Sequence, residues 1–312
     1  MIGDVLRRWK HARRIAQAKA EILARPVAAG AAHGLPARLV VSLTSYPARF
    51  ASLHLTLRSL LAQSLQPDEV VLWLDAGDEA KLPAEVRALS GLRIAVCPDW
   101  RSYKKIVPVL LEDPSAYVVT ADDDVYYARD WLEQLVRHAD AGVVGHRAHM
   151  ITLDPAGLPL SYEDWSRNIA SPETAPLIFP TGVGGVLYAP GVFHEDVAKP
   201  EIFTRLAPAA DDVWLYWMHR LAGSRPAKIG GRFRITEWPG TQEQNLRSGN
   251  LAGKRRGCGR RKRQRPSHSR DDRGLRVSEV AFPDAAFPEQ SRPKQTGRHE
   301  AGPFDVVPLS AP

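Results

Sequence analysis

The chain has 312 residues, of which 44% are hydrophobic and 25% charged. That balance belongs to an ordinary globular chain and excludes wholesale disorder, a collagen-like repeat and a polytopic membrane protein. The length admits one large domain or two small ones. No apolar run reaches the roughly 18 to 20 residues of a membrane-spanning helix, and the opening residues lack the apolar core and cleavage site of a secretory signal. Cys97 and Cys258 are the only cysteines. They are too few for a disulfide framework or a cysteine zinc site, so the expectation is a protein of the reducing cytoplasm. The net charge of +7 has a local origin. Eleven Lys or Arg lie between Lys254 and Arg276 against Asp271 and Asp272, which leaves the rest of the chain slightly acidic. A basic partner surface on the folded part does not follow from the overall charge.

Residues 2–24 predict a helix in which Leu6, Ile15, Ile22 and Leu23 are spread among Arg7, Arg8, Lys10, Arg13, Arg14 and Lys19. Apolar positions so sparse predict a solvated or partly docked helix, with peripheral contact on an anionic bilayer as the alternative. From Arg38 onward strand and helix signals alternate. Residues 39–43 form a short apolar, β-branched run. Helical spacing at Leu53, Leu57, Leu60 and Leu61 follows within 53–65. Residues 70–74 predict a second strand, 92–96 a third and 116–120 a fourth. A helix over 103–111 is predicted to open on Ser102 as N-cap, and another spans 128–138. Residues 150–180 are rich in proline and polar residues and predict a long ordered excursion anchored by Trp165 and Phe179. A glycine-rich turn then leads into a strand ending at Tyr188. A helix is predicted over 211–221, and one or two strands within 229–238. After about Asn250, Trp and Tyr vanish and Arg, Pro, Ser and Gly dominate, which predicts a disordered tail.

Alternation of apolar strands with helices predicts a largely parallel sheet covered by helices, with ligands gathered at the carboxyl ends of the strands. Thr44 to Arg49, Asp75 and Asp122 to Asp124 all fall at those ends. Three consecutive aspartates after an apolar strand repel one another unless something positive binds them, and their hard oxygens suit Mg²⁺ or Mn²⁺ beside a diphosphate. A surface turn capping the next helix is the plainer alternative. Arg49 is placed to reach a phosphate, and Asp75 to accept from a ribose hydroxyl or base N–H. Both positions also suit ordinary turn formation. Lys104 and Lys105, expected in the first turn of a helix, oppose the helix dipole and hint at an anion there, although two solvated lysines explain them equally. Asp211 and Asp212 open a helix, as simple caps or as a general base facing an acceptor hydroxyl. His146, His149 and His194 are weaker candidates for ligands or acceptor contacts.

Residues 40–49 (VVSLTSYPAR), 56–64 (TLRSLLAQS) and 67–74 (PDEVVLWL) together resemble the start of bacterial GT-A-fold glycosyltransferases, of the kind grouped with family 2. Residues 120–127 (TADDDVYY) look like their DxD motif. The GVGGVLY run at 182–188 looks like the glycine-rich strand on the acceptor side. Ala210-Asp211-Asp212-Val213-Trp214 is similar to the acidic pair before their catalytic helix. The resemblance covers about residues 38–248. It implies a GT-A-like (Rossmann-like) mixed sheet flanked by helices, with a basic helix and linker over 1–37, a catalytic domain over 38–250 and a basic tail over 251–312.

By the same resemblance the activity is transfer of a sugar from a nucleoside-diphosphate donor, UDP-linked in preference to GDP-linked, to a hydroxyl of a saccharide or lipid-linked acceptor. Cell-surface polysaccharide, lipopolysaccharide or glycolipid synthesis is the expected setting, at the inner face of the membrane. Thr44, Arg49, Asp75, Lys104, Lys105, Asp122 and Asp123 would hold the donor. Asp122 and Asp124 would face the Mn²⁺ or Mg²⁺, and Gly184, Gly185 and Trp214 would line the acceptor side. Asp212 or Asp211 would be the base, with inversion expected at the anomeric carbon. Asp-Asp stands where Glu-Asp is common in the family. The change of texture near Gly253 reads as a shifted reading frame or a divergent extension. Two other classes compete. A nucleic-acid binder would use the arginine tail, but that tail lacks interleaved aromatics. A nucleotidyltransferase on the same fold would want a glycine-rich phosphate loop after the first strand, where residues 44–49 hold no glycine.

Overall fold

The computed structural model describes residues 2–27 and 29–241. The expected tail from 251 onward, its reading-frame break, Cys258 and the last residues of the expected catalytic domain lie outside the described residues. Helix α1 runs Ile2–Ala24, and strands β1 (Leu39–Thr44), β2 (Glu69–Leu74), β3 (Leu92–Val96) and β4 (Tyr117–Ala121) follow, with α2 (Phe50–Leu61) between the first two. Among the described residues the main sheet has eight strands in the order β3-β2-β1-β4-β9-β5-β10-β7. Here β5 is Val143–Gly145, β7 is Glu173–Thr174, β9 is Val186–Tyr188 and β10 is Ala227–Lys228. The first four strands are parallel, while β9 runs antiparallel to both β4 and β5. A separate antiparallel pair joins β6 (Ala148–Met150) to β8 (Ile178–Pro180) inside the expected excursion, where Trp165 and Phe179 are buried. A mixed, Rossmann-like sheet flanked by helices is thus the fold class.

β1 buries Leu39, Val40, Val41, Ser42 and Leu43 in succession, so both faces of the sheet are covered there, as an unbroken apolar run requires. From α2, Leu53, Leu57, Leu60 and Leu61 enter the same core as Leu39, Val41 and Leu43. At 25 cal/mol per Å², each such side chain contributes about 1.5 to 3 kcal/mol of burial. Helix α1 is partly docked: Ile15, Ala18 and Ile22 pack with Leu55 and Trp238.

Three sequence expectations need correction. The helix expected over 103–111 is a 3₁₀ turn (Arg101–Lys105) followed, after a break at Ile106, by α3 (Val107–Glu112). Pro108 has no N–H to donate back, so a continuous helix through this point would lose a hydrogen bond, and proline instead sits in the first turn of a new one. Ser102 is therefore no N-cap; its Oγ donates to Asp211 Oδ1 at 2.8 Å. The helix expected over 128–138 is α4 (Trp131–Val136), about a turn and a half shorter. The strands expected within 229–238 are absent among the described residues. Lys228 Nζ there donates to the carbonyls of Ile229, Gly230 and Gly231 and curls the chain. What remains is one bridge, Val125 to Glu237.

Candidate active site

The parallel register sets the ends of three strands level. Thr44 pairs with Trp73 and Leu43 with Ala121, so residues 44–45, 75 and 122 emerge on one edge. Because β9 is antiparallel and Val186 pairs with Thr120, the turn before β9 arrives at that same edge. After α5 (Pro200–Leu206), helix α6 (Asp211–Leu221) points its first turn there too. Between them opens a cleft of about 640 Å³. Eight carboxylates line it (Asp75, Asp99, Asp122, Asp123, Asp124, Asp211, Asp212 and Glu237), against five cations (Arg49, Arg101, Lys104, Lys105 and Arg147).

The three consecutive aspartates divide their duties. Asp123 is buried and accepts from Ser45 Oγ at 2.6 Å and from Arg49 Nη1 at 2.9 Å. Asp124 takes the same Arg49 Nη1 at 2.5 Å. Burial pushes the Asp123 carboxyl up to about 6 against the pull of Arg49 and Ser45. Burial likewise raises Asp124. For Arg49 burial works against the charge, but Asp123 and Asp124 outweigh it and hold the guanidinium firmly protonated. Arg49, expected to meet a phosphate, is thus committed to two carboxylates, with Tyr46 OH accepting from its Nε at 3.2 Å. Asp122 alone of the three turns a partly open carboxylate, 27% exposed, to the cleft.

Lys105 is the hub on the other side. Its buried ammonium lies 3.2 Å from Asp122 Oδ1 and 3.1 Å from Asp211 Oδ2. Desolvation opposes its charge, and Asp122, Asp211 and Asp212 more than restore it. Asp211 lies in the same desolvating surroundings, but Lys105 and Ser102 overcome them and hold it below the usual carboxylate range. Asp212, its neighbour on the first turn of α6, goes the other way. Burial first, then the negative charge of Asp211, push it up to about 7, although Oδ1 accepts the Gly182 N–H at 3.0 Å. A pair split in this way is the arrangement in which one carboxylate stays ionised and the other can take a proton near neutral pH. A Cβ on Gly182 would lie 2.8 Å from Lys105 Nζ and 2.9 Å from Asp212 Oδ1, so a larger residue there would push these two charged ends aside.

Lys104 Nζ reaches Asp75 Oδ1 at 2.7 Å, and Asp99 lies 3.7 Å away. The two lysines are therefore buried ion-pair partners of the acids, and the 3₁₀ turn that carries them removes the helix-dipole argument. Thr44 lines the cleft, its Oγ1 donating to the Trp73 carbonyl.

Several expected residues stand elsewhere. Gly184 and Gly185 do not line the cleft. Both have positive φ, and a Cβ on Gly185 would lie 2.3 Å from Trp131 Cζ2, while Trp131 Nε1 donates to the Gly184 carbonyl at 2.6 Å. Trp214 is buried, donating to the Val197 carbonyl and set edge-on to Phe203. His146 bonds the Trp131 carbonyl, and burial depresses it to about 4. His149 bonds Tyr162, and His194 lies beside Asp196. None of these histidines lines the cleft.

Sequence reading overlooked Ser102, Arg147, Tyr162, Thr181 and Glu237, all of which line it. Arg147 Nη1 donates to Thr181 Oγ1 at 2.8 Å. Glu237 arrives because Trp238 N–H donates to the Asp124 carbonyl and Tyr126 N–H to the Thr236 carbonyl, strapping this segment to the acidic motif. No local pattern announces such long-range neighbours.

Among the described residues no three His, Cys, Asp or Glu side chains come together as a metal-binding group. Asp122 turns a hard oxygen to the cleft, and Asp124 lines it with one oxygen paired to Arg49. They fit a Mg²⁺ or Mn²⁺ held by one or two carboxylates and completed by substrate phosphates, the usual way such ions are bound.

No protein-family model matches the chain, and no curated protein does. Solved structures similar to it include 4-diphosphocytidyl-2C-methyl-D-erythritol synthase from Anaerococcus prevotii, 15% identical with a TM-score of 0.43, covering 70% of this chain and 97% of that one. The mannosyltransferase PcManGT from Pyrobaculum calidifontis, in complex with GDP-Man and Mn²⁺, is 15% identical with a TM-score of 0.36, covering 72% of this chain and 62% of that one. The inositol-1-phosphate CTP transferase from T. maritima is 10% identical with a TM-score of 0.41, covering 73% and 97%.

Proposed function

We propose that this chain is a metal-dependent glycosyltransferase that moves a sugar from a nucleoside diphosphate, UDP in preference to GDP, to a hydroxyl of a saccharide or lipid-linked acceptor. The observation that carries this reading is one cleft in which an excess of carboxylates at the strand ends faces a split aspartate pair. A diphosphate enters so acidic a cleft only with a cation, which Asp122 and Asp124 would hold. When bound, that cation neutralises charge on the departing diphosphate.

Asp75 and Thr44 stand where a nucleoside would meet the strand ends. Lys105 holds Asp211 ionised and sits beside Asp122, where departing negative charge develops. Asp212 takes the proton of the acceptor hydroxyl, whose oxygen bonds the anomeric carbon as the bond to diphosphate breaks on the opposite face. The sugar configuration inverts.

The test is thermal stabilisation by UDP, GDP and CDP, each with and without Mn²⁺, on wild type and Asp124→Asn, followed by product analysis. A metal-dependent shift for one nucleotide that disappears in Asp124→Asn, with diphosphate released from the matching nucleotide sugar, supports the reading. Pyrophosphate released from a nucleoside triphosphate and a sugar phosphate would make the enzyme a nucleotidyltransferase instead.

A further inference from the structure

Helix α1 carries two stripes on opposite sides. His11, Ile15, Ala18 and Ile22 repeat at helical spacing on the inner side, and Arg25 follows in the same register. Ile15, Ala18 and Ile22 are buried. Arg25 donates to Tyr126 OH at 2.8 Å, and Tyr126 OH to Glu21 at 2.6 Å. Leu6, Trp9, Arg13, Ala16, Ala20 and Leu23 form the outer stripe, spaced three and four residues apart throughout. Leu6, Trp9 and Leu23 are 49%, 56% and 64% exposed. The other large exposed apolar residues among those described are scattered singly: Val96, Leu111, Leu206 and Leu221 on four different elements and Leu158 in a loop. Only α1 gathers three on one line.

Its charge is predominantly of one sign. Ile2–Ala24 holds six Lys or Arg against Asp4 and Glu21, and Glu21 is engaged with Arg25 and Tyr126. Lys10 and Lys19 are exposed beside the outer stripe, and the Arg13 guanidinium lies 5.7 Å over the Trp9 ring.

We infer that the outer face of α1 docks on the surface of an anionic lipid bilayer. Trp9, Leu6 and Leu23 enter the headgroup boundary, and Lys10, Arg13 and Lys19 meet the lipid phosphates. A tryptophan with an apolar body and a polar N–H suits that boundary. No helix among the described residues is long and apolar enough to cross a membrane, so α1 lies on the surface. A second copy of the chain would set Arg13 and Lys10 against like charges, which disfavours helix pairing on this face. A nucleic acid would leave the leucines without a partner. The inner face meets Trp238 and Tyr126, which flank the acidic motif, so docking sets the cleft one helix layer from the lipid.

The test uses the full chain and vesicles of phosphatidylcholine alone or with roughly one-third phosphatidylglycerol, at about 150 mM salt. The variant Leu6→Ser/Trp9→Ser/Leu23→Ser leaves every charge in place, including those of the basic run at 254–276. Binding to the anionic vesicles is expected to weaken about tenfold or more, with the melting temperature unchanged. Brominated acyl chains are expected to quench tryptophan emission in wild type and to lose that quenching in Trp9→Phe while binding persists. Binding by the triple variant equal to wild type would overturn the inference. So would quenching unchanged in Trp9→Phe, triple-variant loss of RNA binding instead of vesicle binding, or a wild-type dimer that the variant dissociates. Nucleotide donors play no part in these readouts, so the result stands apart from the proposed activity.

Discussion

Three carboxylates, Asp122, Asp211 and Asp212, depend on the one buried ammonium of Lys105. Replacing it with methionine keeps the length of the side chain and removes the charge. Lys105 is 8% exposed and its partners Asp211 and Asp122 are 13% and 27% exposed. Removing one member of a buried pair costs about 3 to 5 kcal/mol, because the partner stays behind desolvated and uncompensated. The partial exposure of Asp122 and the Ser102 hydrogen bond to Asp211 favour the lower end, about 3 kcal/mol. For a domain of this size that lowers the melting temperature by about 6 to 12 °C.

The loss carries a sign in pH. Lys105, raised in the folded state, contributes stability that is complete below its unfolded value of 10.5 and fades as pH rises beyond it. Asp211, lowered in the folded state, contributes stability above 3.8 that fades as pH falls through its depressed value. Without Lys105, burial is opposed only by the Ser102 and backbone hydrogen bonds to Asp211 and raises it, so the variant loses stability as pH climbs from about 4 toward 8. Thermal melts of wild type, Lys105→Met and Lys105→Met/Asp211→Asn at pH 5 and pH 8 measure this. The deficit of the single variant is expected to be larger at pH 8, and the double variant to recover about 1 kcal/mol or more there. A deficit under about 0.5 kcal/mol, or one independent of pH, would refute the ion-pair reasoning.

Asp212→Asn is expected to lower kcat by about 10² to 10⁴-fold in donor-plus-acceptor assays, while wild-type activity rises with pH up to about neutrality and then levels. Equal loss confined to Asp211→Asn would move the base to Asp211. The same residue gives a stability signature. Its folded value lies above the unfolded 3.8, so wild type loses stability as pH rises between them, and Asp212→Asn is expected to melt higher than wild type at pH 8. Gly185→Ala forces a Cβ to 2.3 Å from Trp131 at φ 88° and should cost about 3 kcal/mol. An unchanged urea midpoint would count against that packing. Asp124→Asn is expected to abolish the Mn²⁺ dependence of nucleotide stabilisation, in a protein that still melts cooperatively but from a lower starting temperature because Arg49 loses one of its two carboxylates, as thermal shift reports.

Local pattern determined a good deal. The apolar runs fix β1 to β4 within a residue or two, and α6 has the bounds its spacing predicts, because strand and helix periods are properties of a few consecutive residues. The same runs put Asp75 and Asp122 to Asp124 at strand ends, which is why that edge of the sheet is legible in the sequence. Tertiary structure alone decided which charges meet. Arg49 is 74 residues from Asp123, and Ser102 is 109 residues from Asp211. Nothing in either neighbourhood says that Arg49 is spent on two aspartates, or that Lys105 ionises Asp211 and leaves Asp212 near neutrality. Gly184, Gly185 and Trp214 look functional in sequence, and only packing around Trp131 and Phe203 turns them inward. Charge energies depend on distance and burial, and both are set by the fold as a whole.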